Sequence, residues 1–179
     1  HAVIGLTSGQ LYVHKTLTID GPGAGNLSVD VPEVTYSRVI EIAGGMLDVA
    51  ISGVKMSGGF NLNLGGGLAN HSQGAVTVTN CAVTNNFGMG TDGAGGLGGI
   101  YNNGTLTVVG WTISGNMSGG IAGGPPVPLG AGIGNFGTFT LINSTVSGNS
   151  VPDKGGAAGI LNFQGTMTII NCTIANNSA

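Results

Sequence analysis

One short phrase recurs four times in this chain, and its spacing restricts the possible folds more than any other feature. Each copy begins at a glycine: Gly74, Gly104, Gly137 or Gly165. Two and four residues later stand apolar pairs, Val76/Val78, Leu106/Val108, Phe139/Leu141 and Met167/Ile169. Nine residues on comes a β-branched residue (Val83, Ile113, Val146, Ile174), and twelve on comes asparagine (Asn86, Asn116, Asn149, Asn177). The anchors lie 30, 33 and 28 residues apart. Repeats of that length mark stacked arrays in which one unit cannot bury its apolar face alone.

The period inside each unit selects the kind of array. VTVT, LTVV, FTLI and MTII alternate at period two and are rich in β-branched residues, which is a strand signal. A second short strand follows: CAVT, WTIS, STVS, CTIA. Between the two sits Asn80, Gly110, Asn143 or Asn171; after them comes Asn85, Gly115, Gly148 or Asn176. Glycine and asparagine tolerate the left-handed backbone that a corner needs. Two strands, two corners and a variable loop per repeat predict an all-β chain wound as a parallel β-helix, a β-solenoid.

Residues 1–59 read as degenerate coils of the same kind, and residues 60–179 as four regular repeats of one domain. Leu47, Val49, Ile51, Val54 and Met56 form one early coil that runs into Gly58-Gly59. Leu11, Val13, Leu17 and Ile19 form another, closed by Asp20-Gly21-Pro22-Gly23, a strong turn signal. Leu27 to Val31 and Val39 to Ile42 read as further strands around the loop 32–37. About six coils are expected; at about 4.8 Å per stacked strand they give a rod about 30 Å long.

Three stretches carry a family resemblance: TSGQLYVHKTLTIDGPGAGNLSV, SRVIEIAGGMLDVAISGVKMSGG and GGIYNNGTLTVVGWTISGN. They resemble coils of bacterial surface and secreted proteins of the right-handed, single-stranded parallel β-helix class. Polymorphic outer-membrane proteins and repeat proteins with a separate C-terminal surface anchor are of this kind. The resemblance implies the right hand of the coil and an extracellular or cell-surface setting; it implies no particular chemistry. A leader and an anchor are not among these 179 residues, and His1 is read as the start of a processed or partial chain.

Composition excludes several functions. Charged residues are 6% where about a quarter is usual, yet hydrophobic residues reach 41%, so the chain is neither disordered nor highly charged. A formal charge of −3, with Lys15, Arg38, Lys55 and Lys154 as the strong bases, lacks the footprint of a nucleic-acid binder. No apolar run approaches the length of a transmembrane segment. Sparse charge also offers little resistance to self-association.

Columns of like residues follow from stacking. Cys81 and Cys172 fill the same slot three coils apart, with Trp111 and Ser144 between them. That places them roughly 14 Å from each other, beyond the ~7 Å limit for a disulfide. Both are read as buried, unbridged residues. Thr77, Thr107, Thr140 and Thr168 form one outward column, with Thr105, Thr138 and Thr166 beside it, although Ala75 interrupts that second line. Thr112, Thr145 and Thr173 form another. Such threonines suit exposed strands and are expected to ladder their hydroxyls between coils. A flat Thr-x-Thr array is also the kind of surface that orders water in solenoid ice-binding proteins. Two asparagine columns, Asn70/Asn102/Asn135/Asn162 and Asn86/Asn116/Asn149/Asn177, are expected to bond one another and the turn carbonyls. The first stands three residues beyond Gly67, Gly99, Gly132 and Gly159. The Asn-x-Ser/Thr triplets at Asn26, Asn70, Asn103, Asn116, Asn143 and Asn171 are a by-product of asparagine corners beside Ser/Thr strands.

Enzymatic activity is not expected. Polysaccharide hydrolysis on a β-helix needs carboxylates converging within about 5–10 Å. Asp20, Asp30, Glu33, Glu41, Asp48, Asp92 and Asp153 share no equivalent outward slots in neighbouring coils, and no cofactor is implied. His1 could chelate copper only with a second histidine beside it, and neither His14 nor His71 has the spacing. Insertions fall between the closing asparagine and the next glycine, at 87–98, 117–131 and 150–158; such loops often carry recognition. Two functions remain: an extracellular structural subunit stacking head to tail on its own copies, as in a filament or surface layer, or an adhesin-type module using the loop edge on a glycan or another surface protein.

Overall fold

Left-handed residues at two points of each repeat set the path of the chain. In the computed structural model, which describes residues 1–32, 36–61, 64–90, 96–119, 130–152 and 156–179, the first corner is made by Asn80, Gly110, Asn143 and Asn171 at φ of 50°, 70°, 49° and 52°. Asn85, Gly115, Gly148 and Asn176 make the second, at 56°, 64°, 63° and 56°. Side chains other than glycine and asparagine adopt this conformation only at a cost of 1–2 kcal/mol or so. Both corners are the ones marked in the sequence.

The first coil comprises β1 (Ala2–Gly5), β2 (Leu11–Val13) and β3 (Leu17–Asp20). The second comprises β4 (Leu27–Asp30), β5 (Ile40–Gly45) and β6 (Val49–Ser52). From the third coil a short extra strand appears: β7 (Lys55–Ser57), β8 (Phe60–Asn61), β9 (Leu68–Ser72) and β10 (Val76–Thr79). The fourth repeats this with β11 (Ala82–Thr84), β12 (Phe87–Met89), β13 (Ile100–Asn102) and β14 (Thr105–Val109). The fifth has β15 (Thr112–Ser114), β16 (Met117–Gly119), β17 (Ile133–Asn135) and β18 (Thr138–Ile142). The sixth has β19 (Thr145–Ser147), β20 (Ile160–Asn162) and β21 (Thr166–Ile170), and β22 (Thr173–Ala175) follows.

Stacking these coils produces three long parallel faces. The first face is β1-β4-β7-β11-β15-β19-β22, the second β2-β5-β9-β13-β17-β20 and the third β3-β6-β10-β14-β18-β21. The second and third faces are six strands deep, and therefore five steps from end to end, so the chain makes about five full turns where the sequence suggests six coils. The two counts describe the same stack, one by layers and the other by steps. The N-terminal third joins the same ladders in register: Leu17, Val49, Val76, Leu106, Phe139 and Met167 form one column. Its apolar alternation is enough to keep the register that a one-residue slip would invert.

A fourth face is β8-β12-β16, and its β12 and β16 occupy the start of two segments read from sequence as loops. Phe87–Met89 and Met117–Gly119 are strands, in parallel register with each other. That reading is corrected: three residues are too few for alternation to register as a pattern. Residues 91–95, 120–129 and 153–155 of those insertions lie outside the described residues.

The core fills the interior of the coil. Val76, Val78, Val83, Leu106, Val108, Ile113, Phe139, Leu141 and Val146 are all at most 1% exposed. Each contributes roughly 1.5–3 kcal/mol relative to solvent exposure. The anchor glycines have a steric reason. A Cβ at Gly74, Gly104, Gly137 or Gly165 would lie under 3.0 Å from backbone of the preceding coil. The chain passes too close to its neighbour there for any side chain.

Candidate functional site

Both asparagine columns point inward at the coil corners and form continuous amide ladders. Asn70 Nδ2 donates to Asn102 Oδ1 (2.8 Å), Asn102 to Asn135 (2.8 Å) and Asn135 to Asn162 (2.7 Å). The second ladder runs Asn86 to Asn116 to Asn149 to Asn177, with 2.9 Å at every step. The amides also cap backbone: Asn86, Asn116, Asn149 and Asn177 donate to the carbonyls of Met56, Val83, Ile113 and Val146. Asn70, Asn102, Asn135 and Asn149 are fully buried, Asn86 and Asn116 nearly so. Asn162, on the last coil, is exposed and Asn177 half-buried. These amides are saturated by the fold and leave nothing for a ligand. Asn70 and Asn116 head two of the Asn-x-Ser/Thr triplets, and their burial removes those triplets as modification sites in the folded chain.

The threonine columns behave differently. Thr77, Thr107, Thr140 and Thr168 are in direct register across β10, β14, β18 and β21, as are Thr105, Thr138 and Thr166. Thr112, Thr145 and Thr173 align on the first face. The expected hydroxyl ladder between coils is absent: among the described residues, none of the seven third-face hydroxyls has a hydrogen-bond partner in the protein. Their strands are already joined by backbone bonds, so the hydroxyls remain turned to solvent.

One cluster of ionisable groups was not legible in the sequence. Glu41 Oε2 accepts from Arg38 Nη1 at 2.8 Å and from Gln10 Nε2 at 2.5 Å. His71 Nε2 lies 3.8 Å from Glu41 Oε1, and its ring packs at 5.3 Å from that of Tyr101. Burial, the largest influence, lowers the pKa of Arg38 and of His71 from their ordinary values, with Glu41 opposing both shifts. Burial likewise raises the Tyr101 phenol. The cluster brings together one carboxylate and one imidazole already engaged with neighbours. Asp20 accepts from Ser52, Asp30 from Ser28 and Ser57, and Asp48 from the Ala75 N–H. Glu33, Asp92 and Asp153 lie outside the described residues. His1 Nδ1 is 2.9 Å from the Gly25 carbonyl oxygen, and no group of three His, Cys, Asp or Glu able to hold a metal occurs among the described residues.

The cysteine slot has a purpose that the sequence did not reveal. Val54 N–H donates to Cys81 Sγ at 3.3 Å, Trp111 N–H to Ser144 Oγ at 3.0 Å, and Ser144 N–H to Cys172 Sγ at 3.4 Å. A sulfur or oxygen there accepts the corner N–H of the coil before it. Trp111 supplies no acceptor, and its own Nε1 is buried without a partner. Both cysteines are free; Cys81 is buried, but Cys172 is only partly so, since no described coil covers the last one. Burial pushes the Cys81 thiol up to about 11. At pH 8 an alkylating agent is therefore expected to label one thiol of the native chain, Cys172, and two after denaturation. Native labelling of Cys81 at the same rate, or a mass two protons light with no labelling, contradicts the coil register.

Both end faces are apolar. Columns buried inside the stack emerge at Ile4 (51% exposed) and Leu11 (37%) at one end, and at Ile169 (43%) and Ile174 (49%) at the other. At the second end, Ile160, Ile169, Ile174 and Asn177 line an open hollow of about 490 Å³. No helix among the described residues is long and apolar enough to cross a membrane. The architecture defines the class as parallel β-solenoid repeat proteins. Comparisons with protein-family models, curated proteins and solved structures return no match.

Proposed function

We propose that this chain is a non-enzymatic structural subunit of an extracellular or cell-surface assembly, in which solenoids stack head to tail. The setting rests on the resemblance of its coils to polymorphic outer-membrane proteins and anchored β-helix repeat proteins. The observation that carries the assembly is the pair of open end faces. Ile4 and Ile174 terminate a column whose inner members, Met56, Val83, Ile113 and Val146, are 0% exposed. Each end also leaves strand edges unpaired, which is a template for further pairing. The scarcity of charge offers little resistance to such contact.

Geometry restricts how a second copy joins. The first face has seven strands, with β1 and β22 at its two edges, where the second and third faces have six. The next position on the spiral after β22 belongs to the second face. A copy that continues the spiral therefore sets its β1 on β20, its β2 on β21 and its β3 on β22, turned by one face. The contact is heterologous and does not close, so it propagates.

Light scattering after size exclusion tests this. The wild-type chain is expected to grow in mass with concentration, and Ile174→Lys, which places a charge in the end hollow, to remain monomeric with unchanged circular dichroism. A wild-type chain that stays monodisperse and monomeric at high concentration overturns the proposal.

A further inference from the structure

We infer that the third face binds ice, through a water layer ordered by its threonine array. This goes beyond end-to-end assembly and concerns a different surface.

The polar ladders of the molecule divide into two kinds. The asparagine amides are consumed by one another and by backbone carbonyls. The hydroxyls of Thr77, Thr105, Thr107, Thr138, Thr140, Thr166 and Thr168 are not bonded to the protein at all, among the described residues. They are held in a fixed lattice, because every pairing from β3 to β21 on this face is parallel without a register shift. The second face, by contrast, shifts between Ile42 and Gly45. Rows therefore repeat at about 4.8 Å across the coils and about 6.6 Å along each strand. A lattice of hydroxyls and methyl groups at fixed spacing offers the adjacent water a fixed set of anchoring positions.

The remaining chemistry of the face agrees. The outward position two residues beyond the second threonine is Val109, Ile142 or Ile170, so the array is bordered by apolar groups. From β10 to β21 the strands of this face carry no charged residue. Charge would orient water around itself and break a lattice; methyl groups exclude disordered water, while unpaired hydroxyls anchor the ordered remainder. At the other border, Asp48 stands in the Thr105 column and ends the neutral array.

Ice-affinity partitioning of the whole chain tests the assignment, with recrystallisation inhibition as a second readout. Wild-type protein is expected to concentrate in slowly grown ice and to slow crystal coarsening. Thr138→Lys/Thr168→Lys, at two exposed positions of the array, is expected to lose both effects and to partition like an inert protein. Thr112→Lys/Thr173→Lys, exposed on the first face, is expected to retain them. Native protection of Cys81 from alkylation verifies folding of each variant; if the third-face pair fails to fold, the single variant Thr77→Lys replaces it. Wild-type protein excluded from ice, equal loss in the first-face variant, or full activity in the folded third-face variant each overturns the inference. So does a third-face variant whose only change is a lower oligomeric mass, which would make the face a contact between copies.

Discussion

Replacing Gly104 by alanine is expected to destabilise the fold by about 3 kcal/mol or more, although it adds a single methyl group. The new Cβ would fall under 3.0 Å from the Ser72 carbonyl and against the Asn70 amide. Neither can give way: Ser72 belongs to β9, in the second face, and Asn70 is part of a buried ladder. For a chain of this length the loss corresponds to a fall in Tm of about 6–12 °C. Gly25→Ala is the matched control, since a Cβ there meets nothing within 4 Å; its expected effect is within about 0.5 kcal/mol. Thermal unfolding of the two variants by circular dichroism separates close coil approach from a general penalty on alanine.

Asn116→Ala should cost roughly 3–5 kcal/mol, because it orphans several buried groups at once. The Asn116 amide uses all of its hydrogen-bonding capacity. Its Oδ1 accepts from the Asn86 backbone N–H (3.1 Å) and Asn86 Nδ2 (2.9 Å), and its Nδ2 donates to Val83 O (2.9 Å) and Asn149 Oδ1 (2.9 Å). Truncation leaves the Asn86 N–H and the Val83 carbonyl without their partners in a dry interior. Asn177→Ala, at the half-buried end of the same ladder, should cost about 1 kcal/mol, since water reaches the groups it uncovers. Chemical denaturation of both variants measures the gradient; equal costs at the middle and the end would contradict a cooperative buried ladder.

These two residue classes show why so much of the architecture is readable in the chain. One repeat is one coil, so any residue that must stack on its own kind recurs at the repeat length. The corner residues Asn80, Gly110, Asn143 and Asn171, the inward pairs beginning at Val76/Val78 and both asparagine columns are legible for that reason. The purpose of a column is less legible than its existence. Gly104 recurs because backbone approaches it, and Cys81 because its sulfur accepts the Val54 N–H; both facts depend on the neighbouring coil. Arg38, Glu41 and His71 meet only because coils with connections of different lengths bring them together, so no period announces them. Strand β12 is too short to alternate. The threonine hydroxyls were expected to bond each other, yet parallel register aligns them without bonding them.

Electron cryomicroscopy of the concentrated wild-type chain tests the assembly most directly, through the helical parameters of whatever forms. The account predicts an unbranched filament with one subunit per about 30 Å of axial rise, that is, six coils at about 4.8 Å each. Successive subunits should be turned by one face, with β1 of one copy beside β20 of the last. Subunits stacked with like faces aligned, or particles that remain single rods with both ends bare, would contradict it.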